Sequence, residues 1–223
     1  MCGIRQVDKP TGRAILNFMQ KGQLTRTAII EQALASAARV GFEQLSLATL
    51  AADTHMSKSG LYAHFRSKEA LQEAVLDRAA ERFNDVVVRP AMRQPRGARR
   101  LQALFDGYMD WLGVTVTEGR CLFMALSQEY RDKPGVIRDR VVQSFKDWHS
   151  TICRVITDAV DEGDLRTDLD PRQFAFEMAG IGMSFQTSFK LMGRSDAEAM
   201  ARRAFARLLD DARITRETAP AGA

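Results

Sequence analysis

Cysteine, proline and long apolar runs are all scarce in this chain. Each scarcity removes a class of protein. Three cysteines, Cys2, Cys121 and Cys153, are an odd number at no metal or disulfide spacing, so reduced thiols are expected and a disulfide-stapled secreted fold is not. No stretch of about 18 apolar residues exists to cross a bilayer. Near the start, Arg5, Asp8, Lys9 and Arg13 stand where a signal peptide needs an apolar centre, so a cytoplasmic location is expected. Only six prolines and no long strand-like alternation leave helix as the dominant element. The reading is an all-α chain.

Apolar periodicity and stop signals lay out the helices. The first is expected from about Arg26 to Val40, capped by Thr25, facing inward with Ile29, Ile30, Ala33, Leu34 and Ala37, and stopped at Gly41. Ser46 caps a short second helix, Leu47 to Thr54, with Leu47, Leu50 and Ala51 on one face. Ser67 caps a fourth that carries Glu69 in its first turn and Leu71, Val75 and Leu76 inward, running towards Val86 before Pro90. After a breaker-rich Pro90 to Gly97, helical segments are expected over about Arg99 to Glu118, Cys121 to Tyr130, Gly135 to Glu162, Arg172 to Met192 and Ala197 to Leu209.

The segment His55 to Lys68, HMSKSGLYAHFRSK, places a turn, a short basic and aromatic helix and a new helix start in close succession. With the helix before it, this is a helix-turn-helix pattern. Ala51 stands at the helix crossing, His55 at the turn, and Leu61 on the second helix facing back. Charge agrees: residues 1 to 70 hold nine Lys and Arg against five acids, while the remainder balances at 23 of each. The net +4 therefore sits where neutralising DNA phosphates would favour binding.

Residues Thr25 to Lys68 resemble the tetracycline-repressor (TetR) family of bacterial regulators. The likeness is carried by the first helix ending in Gly41-Phe42, the Ser46 cap, Leu50-Ala51 and SKSGLYAHFRSKEAL from Ser57 to Leu71. The resemblance implies a three-helix DNA-binding head followed by a helical effector-binding and dimerisation domain. It also places Lys58, Tyr62, His64 and Lys68 at the DNA, the last against a phosphate. Departures are His55 for the turn glycine, Gly60 where threonine is common and Ala48 where a polar residue is frequent. The domain reading is an extension over 1–24, the head over 25–70, the effector and dimer domain over 71–212 and a tail over 213–223.

At about 100° per residue, Ser59, Gly60 and Ala63 face outward on the third helix. No Arg or Asn is there to read a base edge, so phosphate contacts and DNA shape are expected to matter. The candidate DNA-binding residues are Thr25, Arg26, Ser46, Thr49, Lys58, Ser59, Gly60, Tyr62, His64 and Lys68. Candidate effector contacts, chosen as apolar side chains interleaved with polar ones, are Phe105, Met109, Trp111, Cys121, Met124, Gln128, Phe145, Trp148, His149 and Gln186. For a homodimer interface, Phe174, Met178, Ile181, Phe185 and Phe189 form one stripe, matched by Phe205 and Leu208 on the last helix.

The functional expectation is a repressor released from its operator by a small hydrophobic or aromatic effector. The partners expected are double-stranded operator DNA, the effector and a second copy, with no membrane, cofactor or metal. The alternative is a helical interaction module of the same fold without specific DNA binding. The opening MCGI matches amidotransferases that use an amino-terminal cysteine, but those need a layered sheet that this pattern does not supply, so no enzyme is expected. Residues 1–24 read as an extension, as a start misplaced from Met19, or as a basic arm on the minor groove. His149 and Cys153 at i, i+4 are too few for a metal site.

Overall fold

The computed structural model describes residues 25–37, 41–54, 57–118 and 121–214. They divide into two compact units, the first ending at Arg78 and the second beginning at Ala79. The first unit extends past the expected limit at residue 70 because helix α4, Lys68–Phe83, contributes its opening turns to it. Among the described residues there is no strand, only an isolated bridge between Leu165 and Arg213.

The first unit is assembled from short helices and local caps. Helix α1 covers 25–37 and buries Ile29, Ile30, Ala33 and Ala37 along one face. Residues 38–40, where it was expected to end, lie outside the described residues. Gly41 sits at φ 98° and returns its N–H to Ala37 O at 3.0 Å, a left-handed stop that a side chain would strain. Ser46 opens α2, Leu47–Thr54, through a reciprocal cap: Thr49 N donates to Ser46 Oγ and Ser46 N to Thr49 Oγ1, each at 3.1 Å. Ser57 accepts Gly60 N at 3.1 Å to start α3, Lys58–His64, and Ser67 accepts Ala70 N at 3.0 Å to start α4. Phe42, Leu45, Leu50, Leu61, Phe65 and Leu71 fill the space between them. The buried Gln72 amide is satisfied by Phe42 O at 3.1 Å, and Arg78 pairs with Glu31 at 2.5 Å.

The second unit holds the rest of the helices. Pro90 does not stop α4 as expected. The chain widens through a five-residue π turn, Asn84–Val88, and continues as α5, Arg89–Met92. Proline lacks an N–H and its ring crowds the carbonyl four residues back; the wider turn moves that carbonyl aside, and Arg89 N bonds Asn84 O instead. Gly97, at φ 105°, precedes α6, Ala98–Glu118, whose first free N–H at Ala98 donates to Asp164 Oδ2 at 2.7 Å. Helices α7, Leu122–Glu129, α8, Val136–Asp161, α9, Pro171–Gln186, and α10, Ala197–Ala212, follow. Asp170 caps α9 and Pro171 occupies its first turn, where no N–H is needed. A second π turn, Thr187–Leu191, ends that helix before Gly193.

The core of this unit lies between α6, α8, α9 and α10. Phe105 stacks on Phe205 with ring centroids 3.8 Å apart, and Phe174 meets Phe205 edge-on. Gly182 lies so close to the Tyr108 ring that a methyl group there would collide with it. Arg202 ties α10 to α6 through Asp106 at 2.7 Å and Asp110 at 3.3 Å.

Candidate nucleic-acid interface and effector cavity

The third helix leaves its expected face open. Leu61 and Phe65 are buried, while Ser59, Tyr62 and Ala63 are exposed and Gly60 and His64 half-buried. Tyr62, at 56% exposure, is too open to be a core residue. Its ring is therefore available to a partner surface. Lys58 belongs to the helix, but its side chain lies outside the described residues.

Several candidates carry structural duties as well. Thr49 Oγ1 donates to Ser46 O at 2.9 Å while accepting Ser46 N, so this hydroxyl is committed to the α2 cap. Ser46 is the other half of that cap. The Arg26 guanidinium sits 4.9 Å over the Phe65 ring, and the half-buried Thr25 begins the described part of α1. Lys68 Nζ donates to Glu43 O at 2.6 Å, which fixes the ammonium at the amino end of α4 with further N–H groups to spare. Arg66, exposed in the corner between α3 and α4, adds a cation that reading the sequence passed over. Its place directly before the Ser67 cap was the available signal.

In the second unit, an apolar cavity of about 120 Å³ opens between α6, α7, α8 and the end of α4 with its π turn. Trp111, Cys121, Met124, Phe145 and Trp148, all expected at an effector site, line it. Phe105 and Met109 do not; each lies a part-turn round α6 from Tyr108 and Trp111 and is buried in the core. His149 is next to Trp148 but about 100° round α8, away from the lining. Gln128 is exposed on α7, and Gln186 on α9 also lies outside the lining.

The sequence reading missed Phe83 and Val88, because α4 was expected to end before Pro90 and its end was not associated with the middle helices. Phe83 meets both indoles edge-on, Trp111 at 5.6 Å and Trp148 at 5.0 Å, and Tyr108 lies tilted 5.0 Å from Trp148. Burial pushes the Cys121 thiol up from its ordinary range, against the pull of the Met124 N–H, the Trp111 indole and the Phe123 N–H. Burial likewise pushes Tyr108 up, with a smaller push from Cys121. Both groups are neutral near pH 7. Among the described lining residues there is no Lys, Arg or His, and Asp147 is the one carboxylate.

The expected interface stripe faces inward. Phe174, Met178, Phe185 and Phe205 are buried in the core of their own chain, so they are not available to a partner. Phe189 is half-buried and stacks on Phe185 at 5.6 Å, and Ile181 and Leu208 are half-buried along a shallow groove between α9 and α10. A different face is open: Phe176, at 69% exposure, and Met183 on α9, Leu191 and Met192 at its end, and Met200 on α10. Helix α9 thus has two apolar faces, and periodicity selected the one that fills the core.

A three-helix head with an open face on its third helix, joined in one chain to a helical unit that encloses an aromatic cavity, defines a one-component, ligand-binding transcriptional regulator. The family model for bacterial regulatory proteins of the tetR family matches residues 29–75, and the tetracyclin repressor-like C-terminal domain matches residues 97–205. The chain belongs to the TetR family of transcriptional regulators. No curated protein sequence matches it.

Solved structures show the same fold. A TetR-family regulator from Cytophaga hutchinsonii is 19% identical, over 88% of this chain and 98% of the other, with a TM-score of 0.78. A regulator from Saccharomonospora viridis in complex with choline is 19% identical, over 86% and 99%, with a TM-score of 0.70. AibR, in complex with isovaleryl coenzyme A and operator DNA, is 25% identical over 82% and 97%, with a TM-score of 0.64. No described helix is long and apolar enough to cross a membrane.

Proposed function

We propose that this regulator is a cytoplasmic homodimeric repressor, without enzymatic activity, that leaves its operator when a small hydrophobic effector enters the cavity of its second unit. The observation that carries this reading is the cavity itself, ringed by Phe83, Tyr108, Trp111, Phe145 and Trp148. A preformed apolar cleft with a few polar groups is how small-molecule sites are built. Similar regulators in complex with isovaleryl coenzyme A and with choline support a small-molecule ligand for this fold.

At the DNA, the third helix would enter the major groove with Ser59, Gly60 and Ala63 against the bases. Lys58, Tyr62, His64 and Lys68 would hold the backbone, and the cap formed by Ser46 and Thr49, with Thr25 and Arg26, would set the height of the head. One short helix reads only a half-site, so a pair of heads about 34 Å apart, or a multiple of that, is needed. The exposed stripe of Phe176, Met183, Leu191 and Met200 is the surface offered to the second copy. Effector binding would then shift the population towards a head spacing that misses the operator, limited by the ligand's differential affinity for the two states.

Sedimentation of the full chain with a duplex from its own upstream region tests the reading. Two protomers per half-site pair are expected. Met183→Glu should leave the helical content intact, halve the free mass and weaken operator binding at least tenfold. A wild-type monomer that binds operator as tightly as a dimer contradicts the proposal.

A further inference from the structure

One of the residues that line the cavity, Trp148, carries a polar group with no protein partner. Trp148 Nε1 is closed off from solvent and meets no hydrogen-bond acceptor. Its neighbours are aromatic: Phe83 edge-on at 5.0 Å and Tyr108 tilted at 5.0 Å. The hydroxyls nearby point elsewhere, since Ser144 Oγ donates to Arg140 O at 3.0 Å and Thr151 Oγ1 to Asp147 O at 2.8 Å. A buried donor without an acceptor is destabilising, a cost that a ligand bringing the acceptor removes.

Size and charge narrow the ligand further. An apolar cavity of about 150 Å³ holds one benzene ring. One of about 120 Å³ therefore takes a single ring only as its walls give way. The Trp148 ring is part of that wall, and side-chain adjustment of this kind is ordinary on binding. A carboxylate or phosphate would enter without a cation to meet it among the described lining residues and with Asp147 against it. The Asp147 carboxylate is exposed and accepts from Gln143 Nε2 at 2.8 Å, so it is already held on the solvent side.

We infer that the cavity recognises a neutral, single-ring compound bearing a hydrogen-bond acceptor, a carbonyl or an ether, which the Trp148 indole N–H receives. This rests on the reading of the cavity as the effector site. It goes further by assigning Trp148 as the residue that sets specificity.

Four single-ring probes test it by calorimetry on the full chain: acetophenone, ethylbenzene, benzoate and the somewhat larger benzyltrimethylammonium. Acetophenone should bind roughly tenfold more tightly than ethylbenzene, the worth of one net hydrogen bond. Trp148→Phe should reduce that ratio to near one, whatever the altered wall does to the affinity of the two compounds. As a second readout independent of any variant, the Trp148 indole N–H resonance should move downfield with acetophenone and not with ethylbenzene.

The inference is overturned if benzoate or the ammonium binds as well as acetophenone, if no probe binds, if the ratio survives in Trp148→Phe, or if the indole resonance stays in place. Acetophenone that binds through Trp148 yet leaves operator affinity unchanged would support the recognition chemistry and refute the switch. A compound that releases the DNA without touching Trp148 would do the reverse.

Discussion

The two units of this chain are held together in different ways. In the first, order comes from hydrogen bonds between residues a few positions apart: Ser46 with Thr49, Ser57 with Gly60, Ser67 with Ala70. In the second, order comes from rings that meet across long stretches of sequence, such as Phe105 with Phe205 and Phe83 with Trp148. Local caps fix where a short helix begins and therefore where its exposed face points, which suits a reading head. Aromatic packing leaves gaps between large rigid side chains, which suits a cavity.

Substitutions test this contrast, beginning with the largest expected effect. Phe205→Ala removes a ring stacked at 3.8 Å on Phe105 and touched edge-on by Phe174, and should cost about 3–5 kcal/mol in denaturant unfolding. A loss below about 1 kcal/mol would mean the stack does not hold the unit. Gly182→Ala drives a methyl into the Tyr108 ring and should cost about 1–3 kcal/mol, with a lower melting temperature. Ser46→Ala deletes one cap and should cost about 1 kcal/mol, an effect confined to the head's stability and its DNA affinity.

Lys68→Ala should leave unfolding nearly unchanged. It should weaken binding to operator and random DNA by the same factor and lower the salt slope by about 1. Different factors for the two duplexes would show that Lys68 reads sequence and not phosphate.

Cys121 supplies the smallest test, a pH effect. Burial raises its thiol above the ordinary value of 9.0, so the folded chain holds this proton after the unfolded chain has lost it. The stability it contributes is complete below pH 9 and falls as pH rises from there through the folded value. Removing the thiol with Cys121→Ala should flatten that alkaline decline. Iodoacetamide should also modify the native thiol far more slowly than the unfolded one at pH 8.

The same contrast explains what could be read from the sequence. Caps and stops depend on neighbours, so Gly41, Ser46 and Ser67 were legible, and with them the head and its open face. Pro90 was misread because a proline can be carried by a widened turn, and that turn is set by packing and not by the local residues. On α9, the stripe through Phe174 and Phe185 is indistinguishable by periodicity from one that meets a partner. Only the position of Phe205 on α10 shows that it is core and that Phe176 and Met183 are the open face. The cavity was half legible, because apolar residues interleaved with polar ones mark a region but not which way each side chain turns. Phe83 enters it from a helix whose end the sequence placed elsewhere.

The central claim is that the head recognises a particular DNA sequence, and it is tested most directly by fluorescence anisotropy. The full chain would be titrated onto a duplex from its own upstream region and onto a scrambled duplex, at about 150 mM salt. A preference of roughly 10³-fold or more for the upstream duplex is the predicted result. Absence of binding to either duplex would contradict the account and favour a helical interaction module that has kept the fold without reading DNA.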